Sequence, residues 1–170
     1  GSTNVKIIYE QKSVPLIQNK VYATKEQAVN APCIDVILAP SLNNGFVFSA
    51  NFNESIIDYD AAYQNEQSNS VYFRQHLEHV IEIMRNNNTL NGKVVEIGCG
   101  KAYFLEMLLD RGVNITGFDP TYEGHSTKVV KDFFSDKYSD IGAEFIILRH
   151  TLEHIAHPFN FIKTIAAANK

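Results

Sequence analysis

The sequence predicts an α/β fold in which a small β-rich N-terminal unit precedes a doubly wound parallel sheet. From residue 93 onwards, strand-like apolar runs alternate with helical segments, which is the pattern of parallel strands joined by crossovers. Runs such as EFIIL show no polar alternation, as expected for strands that are covered on both faces. We place the two parts at residues 1–57 and 58–170.

The N-terminal unit is predicted from short strands and one short helix. The stretches VKIIYEQ and DVILAPSLNNGFVFSANF have the composition of strands, and Asn43, Asn44 and Gly45 give the second stretch a strong hairpin signal. Between the two stretches, TKEQAVN contains good helix formers behind Thr24, a residue type that caps helices. We therefore expect a β-hairpin and a capped helix.

A long helix is predicted to begin at Ser70 and to end at NNNT, residues 86–89. Its apolar residues recur at helical spacing: Phe73, Leu77, Val80, Ile81 and Met84. The elements expected after it are strand KVVEIGC, helix AYFLEMLLDR closed by Gly112, strand VNITGFD, strand-like KVVKDFF, strand AEFIILR and a helix from Pro158 to about Ala168. This order supplies four strands for the parallel sheet.

Composition limits the partners. The chain has 170 residues, 45% of them hydrophobic, which is enough for a core, and its net charge of -4 offers no basic field for a nucleic acid. Cys33 and Cys99 are far apart, which argues against a disulfide or zinc framework and for a reducing, cytoplasmic location. The apolar runs are far shorter than the roughly 20 residues of a spanning helix, and GSTNVK lacks a signal-peptide layout, so we expect no membrane partner.

The stretch VVEIGCGKAY indicates a ligand site. A strand that runs into Gly98 and Gly100 and then a helix lets a ligand approach bare backbone and unpaired amides. Asp119 ends the next strand, where a carboxylate would accept both hydroxyls of a ribose. Tyr103 replaces the third small residue of the dinucleotide fingerprint, and no lysine followed by Ser or Thr closes the turn, which excludes a P-loop. The predicted ligand is a nucleoside without a phosphate; a tight turn without ligand is the alternative.

The stretch VVEIGCGKAYFLEMLLDRGVNITGFDP resembles the first two motifs of class I S-adenosylmethionine-dependent methyltransferases. VVKDFF and FIILRHTLEHI stand where that family has the motifs after its third and fourth strands. The resemblance implies a Rossmann-like sheet, S-adenosyl-L-methionine as cofactor and methyl transfer to a small molecule. The family's sheet has seven strands. The resemblance therefore also implies that this sheet is incomplete at the C-terminus, either because the chain is truncated or because it is a minimal version of the fold.

The resemblance also implies the site residues. The implied cofactor-binding residues are Glu96, Gly98, Cys99, Gly100, Tyr103, Asp119, Pro120, Asp132, Phe133 and Arg149. The glutamate and the glycine corner would hold the methionine end, and the first aspartate would bind the ribose. Asp132 and Phe133 would flank the adenine, and Arg149 and His150 would line the methionine and methyl side. Tyr63 could close over the sulfonium, since an aromatic face attracts a cation.

Upstream, VPLIQNKVYATKEQAVNAPCIDVIL, GFVFSANF and YDAAYQNEQSNSVYFRQHLEHV are similar to sugar C-methyltransferases that carry an N-terminal zinc-binding unit. This similarity implies an activated sugar as acceptor. SLNNG replaces the Cys-x-x-Cys-Gly knuckle of that unit, so Ser41 and Asn44 occupy ligand positions and zinc binding is expected to be lost. His76 and His79 fall one helical turn apart without further ligands nearby, and we expect them at the surface.

A base is needed if the acceptor atom is a carbon or a hydroxyl oxygen, and His150 or His154 is the candidate, with Tyr63 as orienting group. Two alternatives stay open. HTLEH fits the H-x-x-E-H pattern of a zinc peptidase, which needs a continuous helix, whereas His150 directly follows a strand. The second alternative is a non-catalytic cofactor-binding or interaction module, because the missing strands often bring the acceptor pocket. An uncovered sheet edge would also favour self-association.

Overall fold

The computed structural model describes residues 6–17, 20–56 and 67–169. The chain divides into two compact units, Gly1–Asn65 and Glu66–Lys170. Tyr63 lies outside the described residues. Among the helices that are described, none has the length and apolar character needed to cross a membrane.

The first unit contains a three-stranded antiparallel sheet and one short helix. Its elements are β1 (Tyr9–Pro15), α1 (Lys25–Val29), β2 (Cys33–Pro40) and β3 (Val47–Ser49), with the strand order β1-β2-β3. The predicted hairpin joins β2 to β3, and the Ser41 amide donates to the Phe46 carbonyl at 2.8 Å across its turn. The Thr24 hydroxyl accepts from the Gln27 amide at 3.2 Å and caps α1, as predicted.

The position of β1 was predicted wrongly. The strand begins at Tyr9 and continues to Pro15, whereas the sequence pattern suggested residues 5–11. Nearly every residue of β1 is exposed, so no alternation of buried and exposed side chains marks its position. Ser13 adopts a left-handed φ of 54°, and the pairing of β1 with β2 shifts there. The Ser13 amide donates to Asp35 Oδ1 at 3.1 Å, which supports this irregularity.

The second unit contains a parallel sheet with helices. Its elements are α2 (Val71–Asn86), β4 (Val94–Ile97), α3 (Tyr103–Leu109), β5 (Ile115–Phe118), β6 (Val129–Val130), β7 (Phe145–Leu148) and α4 (Pro158–Ala168). The strand order is β6-β5-β4-β7, all parallel, which confirms the predicted doubly wound sheet. The Ser70 hydroxyl caps α2, and Pro158 opens α4, both as predicted. The order reverses between β4 and β7, and ligands bind at such a switch point in this architecture.

All four residues of β4 are buried, because helices cover both faces of the sheet. Val94 belongs to one apolar cluster with Leu77 and Ile81 of α2 and with residues of α3. Val95 and Ile97, whose side chains alternate with Val94, belong to a second cluster that includes residues of α4. Burying one such side chain contributes about 2 kcal/mol. The sheet therefore holds the carboxyl end of β4 firmly in place.

The predicted strand KVVKDFF is shorter in the structure. Only Val129–Val130 pair with β5, and Asp132 already lies in the following loop. The Asp132 carboxylate accepts hydrogen bonds from Lys137 Nζ at 2.9 Å and from the Tyr138 hydroxyl at 2.6 Å. These local side-chain bonds turn the chain away from the sheet.

Candidate functional site

Three segments that carry predicted site residues meet at the carboxyl edge of the parallel sheet. Ile97 of β4 is the register partner of Phe118 in β5 and of Leu148 in β7. The glycine corner of residues 98–100, Asp119 and Arg149 follow these three strand ends directly. The structure thus brings together residues that are up to about fifty positions apart in the chain, at the sheet edge where this architecture has its binding crevice.

The two glycines of the corner serve different purposes. Both have left-handed backbones, with φ of 74° at Gly98 and 55° at Gly100. A Cβ atom at Gly98 would lie 2.2 Å from the Thr151 hydroxyl oxygen, so packing requires glycine there. A Cβ atom at Gly100 would meet nothing within 4 Å, so this residue borders open space. Gly98 therefore holds the corner against the sheet, and Gly100 leaves room beside it.

The amides of the corner are engaged within the protein. The amides of Gly98 and Cys99 donate to the Phe118 carbonyl at 2.8 and 3.3 Å, and the Gly100 amide donates to Asp119 Oδ2 at 2.8 Å. The expectation that this corner offers unpaired amides to a negative group is therefore wrong for these three residues. A ligand without a phosphate agrees with this arrangement.

Asp119 is buried, with 8% of its surface exposed, and holds its position through three hydrogen bonds. Besides the Gly100 amide on Oδ2, the amide and hydroxyl of Thr121 donate to Oδ1 at 2.9 and 2.7 Å. A carboxylate has about four acceptor positions, so within the described part of the chain about one is left, on Oδ2. One ribose hydroxyl can bind there, and a second needs the Thr121 hydroxyl to leave Oδ1.

Glu96 is a buried carboxylate with an incomplete set of partners. Only 2% of its side chain is exposed, and its Oε1 lies 3.6 Å from Arg149 Nη1. Its Oε2 has no hydrogen-bond partner among the residues that the structure describes. Burial raises the pKa of Glu96 to about 7, against the opposing influence of Arg149. The Arg149 guanidinium also lies over the Phe104 ring at 4.2 Å. Glu96 therefore provides a buried acceptor that no described residue uses, next to the Arg149 guanidinium.

Glu96 should make folding stability depend on pH. Its pKa rises from 4.5 to about 7, so the folded chain keeps a proton that the unfolded chain has lost. Glu96 makes its full contribution to the free energy of unfolding below about pH 4.5, and this contribution is lost as the pH rises through 7. The loss is about 3 kcal/mol, because each pKa unit corresponds to about 1.4 kcal/mol. We expect Glu96→Gln to remove this loss, measured as the free energy of urea unfolding at pH values from about 5 to about 8. Glu153→Gln changes an exposed carboxylate and serves as control. An unchanged slope in Glu96→Gln would contradict the assignment.

The other predicted cofactor residues have different environments. Cys99 is buried, and burial raises the pKa of its thiol, so the side chain stays neutral. Tyr103 begins α3 and packs against the first apolar cluster, and Pro120 is half-buried after Asp119. Phe133 has 73% of its surface exposed, so its ring is accessible, whereas the neighbouring Phe134 is buried at 6%. One of the two adjacent phenylalanines is therefore accessible, and the other belongs to the core.

Asp132 is less prepared to bind a base than the sequence implied. The hydrogen bonds from Tyr138 and Lys137 lower the pKa of Asp132 and occupy its Oδ2. Its Oδ1 accepts from the Phe133 amide at 2.9 Å. By the count used for Asp119, about one acceptor position is left, and an adenine amino group would share Oδ1 with the Phe133 amide.

His150 and His154 are exposed after β7. His150 has a left-handed φ of 51°, and a 3-10 turn begins only at Leu152 and ends at His154. The continuous helix that a zinc peptidase needs is thus not formed by HTLEH. No cluster of three or more His, Cys, Asp or Glu side chains suited to a metal ion occurs in the described ranges. His76 and His79 are exposed on α2, as expected.

Two site residues were not predicted, Thr121 and Thr151. Thr121 follows Asp119 by two positions, and this spacing is a known turn pattern that could have indicated it. Thr151 contacts Gly98 and the Ile97 carbonyl only because β4 and β7 are neighbours in the sheet. The pairing of Arg149 with Glu96 has the same origin.

The second unit matches a family of known proteins. A family model described as a methyltransferase domain matches residues 72–170, which is more than half of the chain. The match begins in α2 and includes the glycine corner, Asp119 and the segment after β7. No curated protein matches the chain.

Proposed function

The chain belongs to the methyltransferase domain family of class I S-adenosylmethionine-dependent enzymes, and we propose that it transfers a methyl group from S-adenosylmethionine to a small-molecule acceptor. The single observation that carries this proposal is the buried Glu96 oxygen without a partner, next to the Arg149 guanidinium, at the switch point of the sheet. An activated sugar is the acceptor that we favour, because the upstream segments resemble sugar C-methyltransferases.

The charges around the crevice fit the cofactor. Glu96 Oε2 is an acceptor suited to an ammonium group, and Arg149 is a donor suited to a carboxylate, so the pair complements a zwitterionic amino acid. The remaining acceptor position of Asp119 suits a ribose hydroxyl. The exposed ring of Phe133 offers a surface on which adenine can pack.

S-adenosylmethionine, when bound, supplies a methyl group that a positive sulfur already activates. The protein then mainly has to align the acceptor with that methyl group. We propose that His150 or His154, both exposed in the segment after β7, takes the proton that the acceptor loses. Tyr63, which lies outside the described residues, is proposed to orient the cofactor or acceptor.

Cofactor binding is the first test. We expect S-adenosylmethionine and S-adenosylhomocysteine to stabilise the chain by about 2.7 kcal/mol at a hundredfold their dissociation constants. 5′-Methylthioadenosine, which lacks the amino acid, should bind at least tenfold more weakly because it leaves Glu96 Oε2 without a donor and makes no contact with Arg149. Thermal unfolding over a ligand titration measures both effects. Equal binding of all three compounds would contradict the roles of Glu96 and Arg149, and the absence of any shift would reject the proposal.

A non-catalytic binding module is the second candidate, because the described features of Glu96, Arg149 and Asp119 account for cofactor binding and not for turnover. Turnover separates the two candidates. S-adenosylhomocysteine formation with a panel of nucleotide-activated sugars supports the enzyme, whereas binding without turnover supports the module. Given turnover, full activity of the double variant His150→Ala, His154→Ala would remove both histidines as bases.

A further inference from the structure

The segment after β7 turns back towards β4 through an unusual residue. His150 has a φ of 51°, a left-handed conformation that costs a residue with a side chain about 1 kcal/mol or more. The surrounding structure must compensate this cost, and strained residues of this kind often belong to functional segments. The residue that follows is Thr151, whose side chain reaches the end of β4.

Thr151 joins the ends of two strands. Its hydroxyl oxygen lies 3.1 Å from the carbonyl oxygen of Ile97, the last residue of β4. It also lies 3.0 Å from the carbonyl oxygen of Arg149, directly after β7. One hydroxyl has one proton, so the two carbonyl groups share a single donor. This donor links the peptide that precedes Gly98 to the residue that pairs with Glu96.

The same side chain also packs on Gly98. A Cβ atom at Gly98 would lie 2.2 Å from Oγ1 and 2.9 Å from Cγ2 of Thr151. The Thr151 side chain therefore fills the space that a side chain at position 98 would need. Hydrogen bonding and packing together restrict the orientation of the Ile97 to Gly98 peptide.

We propose that Thr151 is a positioning residue, which holds the glycine corner and Arg149 in the relative positions that cofactor binding needs. The expected effect of Thr151 on cofactor binding rests on the proposed function. Glu96 precedes the restrained peptide by one residue, and Gly100 follows it by two, so a change in its orientation moves both. The hydroxyl thereby acts on the cofactor through other residues and without touching it.

Three variants test the proposal. Thr151→Val keeps the shape and loses the donor, Thr151→Ser keeps the donor, and Thr164→Val removes a hydroxyl in α4 that donates to Asp136 at 2.7 Å. We expect Thr151→Val to weaken S-adenosylhomocysteine binding about tenfold, as for the loss of one hydrogen bond. Thr151→Ser should stay within about twofold of the wild type. Thr164→Val should leave the dissociation constant unchanged while lowering stability slightly, which calorimetry and urea unfolding measure.

Wild-type affinity in Thr151→Val would overturn the proposal, and so would equal losses in the valine and serine variants. Amide hydrogen exchange gives a second readout without ligand, because the amides of Gly98 and Cys99 bond to Phe118. We expect about tenfold faster exchange of these two amides in Thr151→Val and no change in Thr164→Val. If the wild type binds no cofactor, the proposed function and the binding role of Thr151 both fail. Exchange then still decides whether Thr151 restrains the corner.

Discussion

Replacing Gly98 with alanine is expected to destabilise the second unit by about 3 kcal/mol and to abolish cofactor binding. A left-handed backbone costs alanine about 1–2 kcal/mol, and the φ of Gly98 is 74°. The new Cβ atom would also lie 2.2 Å from Thr151 Oγ1, and overpacking of this kind costs about 1–3 kcal/mol. Urea unfolding monitored by circular dichroism measures the stability, and calorimetry with S-adenosylhomocysteine measures the binding.

Gly100→Ala is the matched control. Its φ of 55° imposes the backbone cost, but nothing lies within 4 Å of the new Cβ atom, so we expect a loss of only about 1 kcal/mol. Adding Thr151→Ala to Gly98→Ala removes the two closest atoms and should recover about half of the lost stability. Equal destabilisation by the two glycine variants would show that the contact with Thr151 has no part in the effect.

Asp119→Ala is expected to weaken S-adenosylhomocysteine binding at least a hundredfold, which is about 2.7 kcal/mol. The substitution removes the proposed ribose acceptor and leaves the amides of Gly100 and Thr121 without their partner. The loss of stability should be about 1–3 kcal/mol, because these donors lose a buried acceptor. Titration calorimetry measures the dissociation constant, and urea unfolding measures the stability.

Two variants separate the causes of this loss. Asp119→Asn keeps an acceptor for Thr121 but places an amide group opposite the Gly100 amide, so binding should fall while most of the stability remains. Asp136→Ala removes an exposed carboxylate elsewhere in the same unit and should leave binding unchanged. Binding of Asp119→Ala with the wild-type dissociation constant would exclude Asp119 from the cofactor site.

Local patterns predicted most of the fold. The helix α2 begins after Ser70 and α4 begins at Pro158, as expected, because capping and proline signals lie in the sequence itself. The strand β1 was misplaced because its exposed side chains carry no periodic signal, and the bulge at Ser13 depends on Asp35, which is 22 positions away. The third parallel strand was overestimated because the hydrogen bonds that Lys137 and Tyr138 donate to Asp132 end it, and no hydrophobic periodicity marks such bonds.

The candidate site also contains some residues that the sequence predicted and some contacts that it did not. The two glycines and Asp119 could be identified from the sequence, because a strand, a turn and a second strand place them at fixed spacing, and Glu96 was implied by the family resemblance. The contacts of Arg149 and Thr151 with β4 could not, since they depend on which strand lies beside β4. Sequence patterns describe the residues along one chain segment and leave the pairing of distant segments open.

The strand order also sets the sequence in which the unit can assemble during folding. The register pairs Val94 with Ile115 and with Phe145, so β4 and β7 close a loop more than twice as long as β4 and β5. Loop-closure entropy makes the longer closure costlier by about 0.8 kcal/mol. We therefore expect β7 to dock after the β4–α3–β5 segment. The crevice is complete only when β7 has docked, so a chain that binds the cofactor is one that has finished folding.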